Sequence, residues 1–435
     1  MGSNGILGSA LVAVSPHYKD GLESGSEAPG DPTIQGGAMR FIGIDIASEN
    51  HVMAIVDEDG NVLVRPKVFK ETSEGHELLL ELAGEPGDVL VAMEATGHYW
   101  RNVFARLASA GFQIALLNPL RTRRFAEEDM LRAKTDEIDA LSIARFAAQK
   151  KPRVTSVDDE LTEELRELVL LRDRMKQDFD DRTRQLHRAL DLSFPEFTNH
   201  IRNVSSRKAT ALLARWPTAR AFGKASESEV AELVYDGRRR VGKELARAIR
   251  RDAKRSVGAH QGTPYALQTK YFCEDLDVLR ERLTTLDRDL EQLLEHHEVG
   301  KLLTTIQGIG PNTAARLVAV LGDPSHFDSP KALAAYVGVS PRTNWSGKRR
   351  PTRSPLGHLG HANLRSKLWM PTLSAVRHNP WLRAFYERLK AKGKKPKVAL
   401  VAAERKLLTA IYSVAKNRRP FEPIVTPCEV APTAA

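Results

Sequence analysis

The chain has 435 residues, with 65 Lys and Arg against 55 Asp and Glu for a formal net charge of +10, and only 6% aromatic residues. That length corresponds to about three structural units, each large enough to bury a core. Two distant cysteines, Cys273 and Cys428, with no Cys-x-x-Cys, exclude a disulfide scaffold and a structural zinc site, and no apolar run approaches the roughly 18 residues of a membrane helix, so a reduced, soluble, cytoplasmic protein with no membrane partner is expected.

Residues 1–38 are rich in Gly, Ser and Pro and carry one Lys against four acids, so they read as a disordered leader. No Lys or Arg precedes their short apolar stretch, as a signal peptide requires, and Met39 is expected to be the true start. Residues 39–155 alternate in character. The β-rich runs Arg40–Ile46 and His51–Asp57 join by a short polar turn, Asn61–Phe69 follows the hairpin signal Asp59-Gly60, and a helix fits Ser73–Leu82. Asp88–Met93 reads as a buried strand ending at Glu94, Tyr99–Ala110 as a helix and Gln113–Leu117 as a strand closed by Asn118-Pro119. Two helices follow, the second over about Thr135–Gln149. Three antiparallel strands ahead of βαβ units predict an α/β domain on a mixed sheet.

Residues 156–299 read as helical. Leu161, Leu165, Leu168, Met175, Phe179 and Leu186 keep a heptad spacing with Arg172 and Arg182 at seam positions; Leu276, Leu279, Leu283, Leu286, Leu290 and Leu293 keep it unbroken. The pattern predicts two arms of a helical hairpin or coiled coil, a dimerisation device, ahead of an ordinary bundle within one chain. Between the arms, Phe194–His260 is expected to form a compact helical insert, made basic by Arg238-Arg239-Arg240 and Arg250-Arg251.

Residues 300–420 open with a helix, the turn Gly308-Ile309-Gly310 and a second helix at Asn312-Thr313, which predicts a helix-hairpin-helix. Gly308 and Gly310 let backbone N–H groups approach a phosphate, and the second helix offers its positive N-terminus. A plain helix-to-helix turn is the bland alternative. From Arg342 to Arg419, however, 20 Lys and Arg face only Glu387 and Glu404. Apolar periodicity through Leu364, Leu368, Leu407, Leu408 and Ile411 says that this segment folds, so nucleic acid is the expected partner. Residues 421–435 read as a tail.

Four carboxylates form the clearest constellation. Asp45 follows Phe41-Ile42-Gly43-Ile44, Glu94 ends the run Val89–Met93, and Asp136 and Asp139, three apart, share a helix face. Singly, each has a bland reading: a turn cap, a helix start, an N-terminal acid favoured by the helix dipole. Together they suit a divalent-metal site for phosphoryl transfer. Mg²⁺ or Mn²⁺ takes oxygen ligands and keeps water for the phosphate, and two ions about 4 Å apart stabilise the attacking and leaving oxygens.

Gly43-Ile44-Asp45, Glu94-Ala95-Thr96-Gly97-His98-Tyr99 and Lys134-Thr135-Asp136-Glu137-Ile138-Asp139-Ala140 resemble the DEDD transposases of insertion sequences, the one-ten group that also includes the Piv invertases. The likeness runs from residue 40 to about 420 and continues in Gly338-Val339-Ser340-Pro341-Arg342, Trp345-Ser346-Gly347-Lys348 and Gly360-His361-x-x-Leu364-Arg365. The resemblance implies a RuvC-like, RNase H-type domain at 39–155, where Asp45, Glu94, Asp136 and Asp139 are catalytic and bind Mg²⁺. It implies a second domain at 300–420, whose Ser346 attacks DNA and becomes joined to its phosphate. A serine hydroxyl is a weak nucleophile that needs deprotonation and a cationic bed, which Lys348, Arg349, Arg350, Arg353 and Arg365 are expected to supply while binding DNA. Alone, Ser346-Gly347 reads more simply as a turn, and Ser354 and Ser366 are reserve candidates.

The resemblance further implies a composite site shared between protomers of a homodimer or homotetramer. It implies insertion-sequence ends and target DNA as partners, a nucleoid location and, in related members, a structured guide RNA. Two other functions fit parts of the sequence. A RuvC-like nuclease or junction resolvase acting by water alone would leave free 5′-phosphate ends and no protein–DNA adduct. An actin-like sugar kinase, whose folds also open on Gly-Ile-Asp-Ile, would need glycine-rich phosphate loops beyond the one turn at Gly308.

Overall fold

The computed structural model describes residues 39–128, 135–155, 159–340 and 360–423. The leader expected at 1–38 and the end of the tail, from 424, lie outside the described residues. The chain divides into two compact units, one holding the residues up to Asp159 together with Val320–Arg419, the other Glu160–Ala319 with Pro420–Pro423.

The first unit opens with five strands, β1 (Arg40–Asp45), β2 (Asn50–Val56), β3 (Val62–Lys70), β4 (Val89–Glu94) and β5 (Gln113–Leu117). Four helices accompany them: α1 (Ser73–Ala83), α2 (Trp100–Ser109), α3 (Pro119–Glu128) and α4 (Asp136–Lys150). The strands form one sheet in the order β3-β2-β1-β4-β5. β1 and β3 each run antiparallel to β2, while β4 runs parallel to both β1 and β5, so the sheet is mixed as the sequence predicts. Side chains alternate across the sheet and build a core on each face. Ile42, Ile44, Val91 and Met93 meet Leu79 of α1 and Val103 and Leu107 of α2. Phe41, Leu90 and Ala92 meet Phe125 of α3 and Ile143, Ala144 and Ala147 of α4.

In the second unit, α5 (Glu160–Ser193) is followed by α6 (Phe197–His200), α7 (Arg207–Arg215), α8 (Ala219–Lys224), α9 (Glu227–Glu232) and α10 (Lys243–Ala253), then by α11 (Thr263–His296), α12 (Glu298–Leu303) and α13 (Pro311–Leu321). The two 34-residue helices α5 and α11 lie antiparallel: Thr162 meets His297, Arg172 pairs with Asp287, and Arg182 with Asp275 at 2.8 Å. The expected heptad seam is thus filled within one chain, and its two arginines are accommodated because each finds an acid on the opposite arm. The seam on α11 drifts by one residue at its end, where Leu294 rather than Leu293 is buried. The helices between the arms enclose their own aromatic core, with Phe194, Phe197 and Phe222 rings 5.5–6.0 Å apart and Trp216 against Phe222. Burial in that core pushes the Cys273 thiol far up, so it stays protonated. Arg316 of α13 grips Asp173 of α5 through both guanidinium Nη atoms.

The C-terminal part of the first unit is mostly helical, with α14 (Pro330–Val337), α15 (Ala362–His378), α16 (Pro380–Ala391) and α17 (Pro396–Asn417). Helix α17 packs against the other three and buries Leu400, Leu407, Leu408 and Ile411. Lys392, Lys394, Lys395 and Lys397 stay exposed, so the charge excess lies at the surface while the periodic apolar residues build the core. No described helix is long and apolar enough to cross a membrane.

Candidate active site

Three local rules bring the four acids to one edge of the sheet. First, β1 and β4 are parallel neighbours with Ile44 opposite Met93, so Asp45 and Glu94 end their strands side by side. Second, alternation from Phe41 and Gly43 on one strand, and from Leu90 and Ala92 on the other, turns both carboxylates to the face that α4 covers. Third, α4 runs antiparallel to β1. Its residues Ala144 and Ala147 pack with Phe41 at the start of that strand, whereas Ala140 packs with Val52, the antiparallel partner of Asp45. The first turn of α4, with Asp136 and Asp139, therefore leads in from the Asp45 end.

Close approach of helix and strand fixes this arrangement. A Cβ on Gly43 would stand 2.2 Å from the Ala140 carbonyl oxygen and 2.3 Å from the Ala144 nitrogen, so α4 lies backbone to backbone on β1 two residues before Asp45. Thr135 caps α4, its hydroxyl accepting from the Ile138 N–H, and the acids of the first turn suit the positive helix end. The bland and functional readings of Asp136 and Asp139 are thus compatible.

Sequence reasoning missed two supporting groups. The buried Thr122 hydroxyl of α3 sits on Glu94 Oε1, and the Thr96 hydroxyl lies 3.5 Å from Oε2. Buried His51 accepts from the Ala47 N–H through Nδ1, which puts its proton on Nε2, from where it donates to Glu71 at 2.7 Å. Glu71 also takes Nε2 of His76 and Nδ2 of Asn102. Partial burial works to raise the Glu71 carboxyl, but the bonds from Asn102, His51 and His76 outweigh it and hold the group below the usual range. This network pins the chain two residues beyond Asp45. Only the polar His51 at the head of the apolar run Val52–Val56 hinted at it.

The carboxylates are hard oxygen donors of the kind a divalent cation takes, but among the described residues no three His, Cys, Asp or Glu side chains are grouped closely enough to hold one. The ready-made metal cage that the sequence suggests is therefore not formed by side chains alone. Glu94 is engaged by threonine hydroxyls, and Asp136 is exposed on the first turn of its helix.

Of the second group of site residues, Ser346, Lys348, Arg349, Arg350, Arg353 and the reserve Ser354 lie outside the described residues. The chain leaves and re-enters this stretch at a narrow neck. A Cβ on Gly360 would meet the Gly338 Cα at 2.5 Å, and the His361 N–H donates to the Tyr336 carbonyl at 2.8 Å. His361 caps α15, Nδ1 accepting from the Leu364 N–H, and burial holds its ring below the ordinary histidine value, in the neutral form that capping requires. Half-buried Arg365 donates to the Gly338 carbonyl at 3.2 Å, so this expected DNA contact is engaged at the neck instead of projecting freely. Ser366 is exposed and bonds the Asn363 carbonyl, as a surface helix serine does. Gly308 and Gly310 occupy the turn between α12 and α13, and Gly308 has a φ of 104° that favours glycine.

Two family models match the chain: one described as a transposase, of the DEDD IS110 type, over residues 42–195, and one described as transposase IS116/IS110/IS902 family, over residues 300–387, together more than half of its length. The chain is 28% identical to the pilin gene-inverting protein of Moraxella lacunata over 336 residues, covering 76% of this chain and 81% of that one. It is 25% identical over 388 residues to the 43.6 kDa protein of insertion element IS110 from Streptomyces coelicolor, covering 88% and 95%. The transposase for insertion sequence element IS1328 of Yersinia enterocolitica is 25% identical over 332 residues, covering 76% and 82%.

Proposed function

Because this chain belongs to the IS116/IS110/IS902 family of transposases, and is thus a DNA-recombining enzyme, we propose that it moves an insertion sequence by joining two chemistries, one at the acidic sheet edge and one at Ser346. The observation that carries the first is the convergence of Asp45 and Glu94, at the ends of parallel neighbours, on the face that α4 enters with Asp136 and Asp139. The mixed sheet with acids at the ends of its parallel strands supports reading this domain as RuvC-like, of the RNase H type. A divalent ion supplies Lewis-acid stabilisation of phosphoryl oxygens in such chemistry; the four acids are the oxygen donors this reading assigns to Mg²⁺ or Mn²⁺, and they must draw closer together than they stand here to hold one.

At the second centre, Ser346 Oγ bonds to the scissile phosphorus and gives up its proton. The phosphorus–oxygen bond to the leaving strand breaks, and the sugar oxygen takes a proton. Rejoining reverses the roles: a sugar hydroxyl attacks the phosphoserine and releases the serine. The bond energy stays in the phosphodiester, so no nucleoside triphosphate is consumed. Lys348, Arg349, Arg350 and Arg353 neutralise the charge that builds on the phosphate, and Gly308 and Gly310 present backbone to DNA. The proposal includes a homodimer or homotetramer in which one protomer's acids meet another's serine, together with a structured guide RNA.

A donor–target plasmid assay tests it. Asp45→Ala and Ser346→Ala should each lower recombination by roughly a thousandfold or more, since each removes a group that reacts only in concert with the other. Normal recombination by Ser346→Ala would exclude the serine chemistry and leave the acidic sheet edge as the one reacting centre.

A further inference from the structure

The proposed reaction uses no residue of the helical insert between the long arms, yet the insert has a charge pattern of its own. From Phe194 to His260 the sequence holds 15 Lys and Arg against 7 Asp and Glu. Helix α10 sorts this charge sharply. Ala246, Ile249 and Ala253 are buried on one side, while Lys243, Arg247, Arg251 and Lys254 are exposed on the other. Those four recur at helical spacing, so they line up as a stripe about 16 Å long at about 1.5 Å per residue.

The charge continues beyond the helix. A small hairpin closed by the Val234–Arg240 bridge leads directly into α10, and the Arg239 and Arg240 side chains at its end are 77% and 63% exposed. Neighbouring acids register the same field. Glu227 is lowered first by its bond from Arg247, and then by Arg250 and Lys243; Glu229 is lowered first by the Ser226 backbone bond, and then by Arg215 and Arg250. Cations from α7 and α10 thus converge beside α9. The pairs Arg247–Glu227 and Arg251–Asp252 are solvent-exposed and therefore weak, so a phosphate can replace the acid readily.

Which polyanion this surface fits follows from what accompanies the charge. Single strands are gripped by aromatic platforms on which bases stack. Here Phe194, Phe197, Phe222 and Trp216 are turned into the core, and Lys208 lies over the Tyr235 ring at 5.2 Å. A basic stripe on an insert with no exposed Phe, Tyr or Trp ring suits the outside of a duplex, whose phosphates recur every ~3.4 Å of helix axis along each strand. We propose that the hairpin at Arg238–Arg240 and the α10 stripe form a sequence-independent binding surface for duplex DNA, additional to the reacting site.

Equilibrium binding of the full-length protein to a random-sequence 30-base-pair duplex tests this, without added divalent cation so that nothing is cut. The stripe variant Lys243→Gln, Arg247→Gln, Arg251→Gln, Lys254→Gln should lower the slope of log affinity against log salt by about 3.6, as expected from ~0.9 for each of four phosphates no longer neutralised, and weaken binding at moderate salt at least about tenfold. The hairpin variant Arg238→Gln, Arg239→Gln, Arg240→Gln touches no core residue and should act in the same direction, which guards against misfolding of the first. An unchanged slope in both variants would overturn the proposal. So would a loss confined to duplex RNA with DNA binding intact. Because binding is read without cleavage, the outcome does not depend on the serine chemistry.

Discussion

Glu404 is the one acid enclosed in the basic C-terminal helices, 1% exposed, with Oε1 lacking a hydrogen-bond partner. Burial raises its carboxyl to about 7, only partly offset by Arg365. The native chain therefore holds this proton more tightly than the unfolded chain, whose group titrates near the ordinary value of 4.5, and stability falls as pH rises from that value through about 7. Glu404→Gln removes the penalty. In denaturant titrations the variant should exceed the wild type by roughly 3 kcal/mol at pH 8, and by under about 1 kcal/mol at pH 5. A gap independent of pH would mean that Glu404 is not the titrating group. Gly43 is the other single residue on which much depends. Gly43→Ala places a methyl carbon inside the α4 backbone, so it should cost about 3 kcal/mol or more in thermal or denaturant unfolding, and should abolish DNA cleavage with all four acids present. Wild-type cleavage by that variant would show that the seating of α4 on β1 does not position the acids.

At the scale of elements, the sheet and α4 were legible in the sequence because their patterns are local: short continuous apolar runs in Arg40–Asp45 and Val89–Glu94, a Thr135 cap, a helix of small residues. What holds the site in place was not legible. Thr122 reaches Glu94 across 28 residues and His51 reaches Glu71 across 20, and no periodicity signals a hydrogen bond of that span. The heptads told of a seam but not of its partner; that came from charge matching across more than a hundred residues, as in Arg172–Asp287. Arg316 and Asp173 make the same kind of link between α13 and α5, with side chains 11% and 21% exposed. Arg316→Ala leaves a largely buried carboxylate uncompensated and should destabilise that unit by about 3 kcal/mol; the double variant Arg316→Ala, Asp173→Ala should recover part of the loss in a denaturant titration. Equal losses in both would assign the effect to packing of the arginine stem.

For the whole molecule, the sequence shows a division of labour that each unit then expresses in its own way: carboxylates at a sheet edge, a long antiparallel helical pair, and a basic surface on both the insert and the C-terminal helices. Acids that repel DNA phosphates sit in a chain whose net charge attracts them, an arrangement that makes sense when the acids handle one phosphate and the cations hold the rest. The central claim, that Ser346 becomes covalently joined to DNA under control of the acidic site, is tested most directly by trapping. Labelled DNA carrying the element's ends is incubated with the protein, Mg²⁺ and the proposed guide RNA, then run on a denaturing gel with peptide mass analysis of any adduct. A protein–DNA adduct mapped to Ser346, and lost in Asp45→Ala, is the expected result. Cleaved DNA with free phosphate ends and no adduct would contradict it.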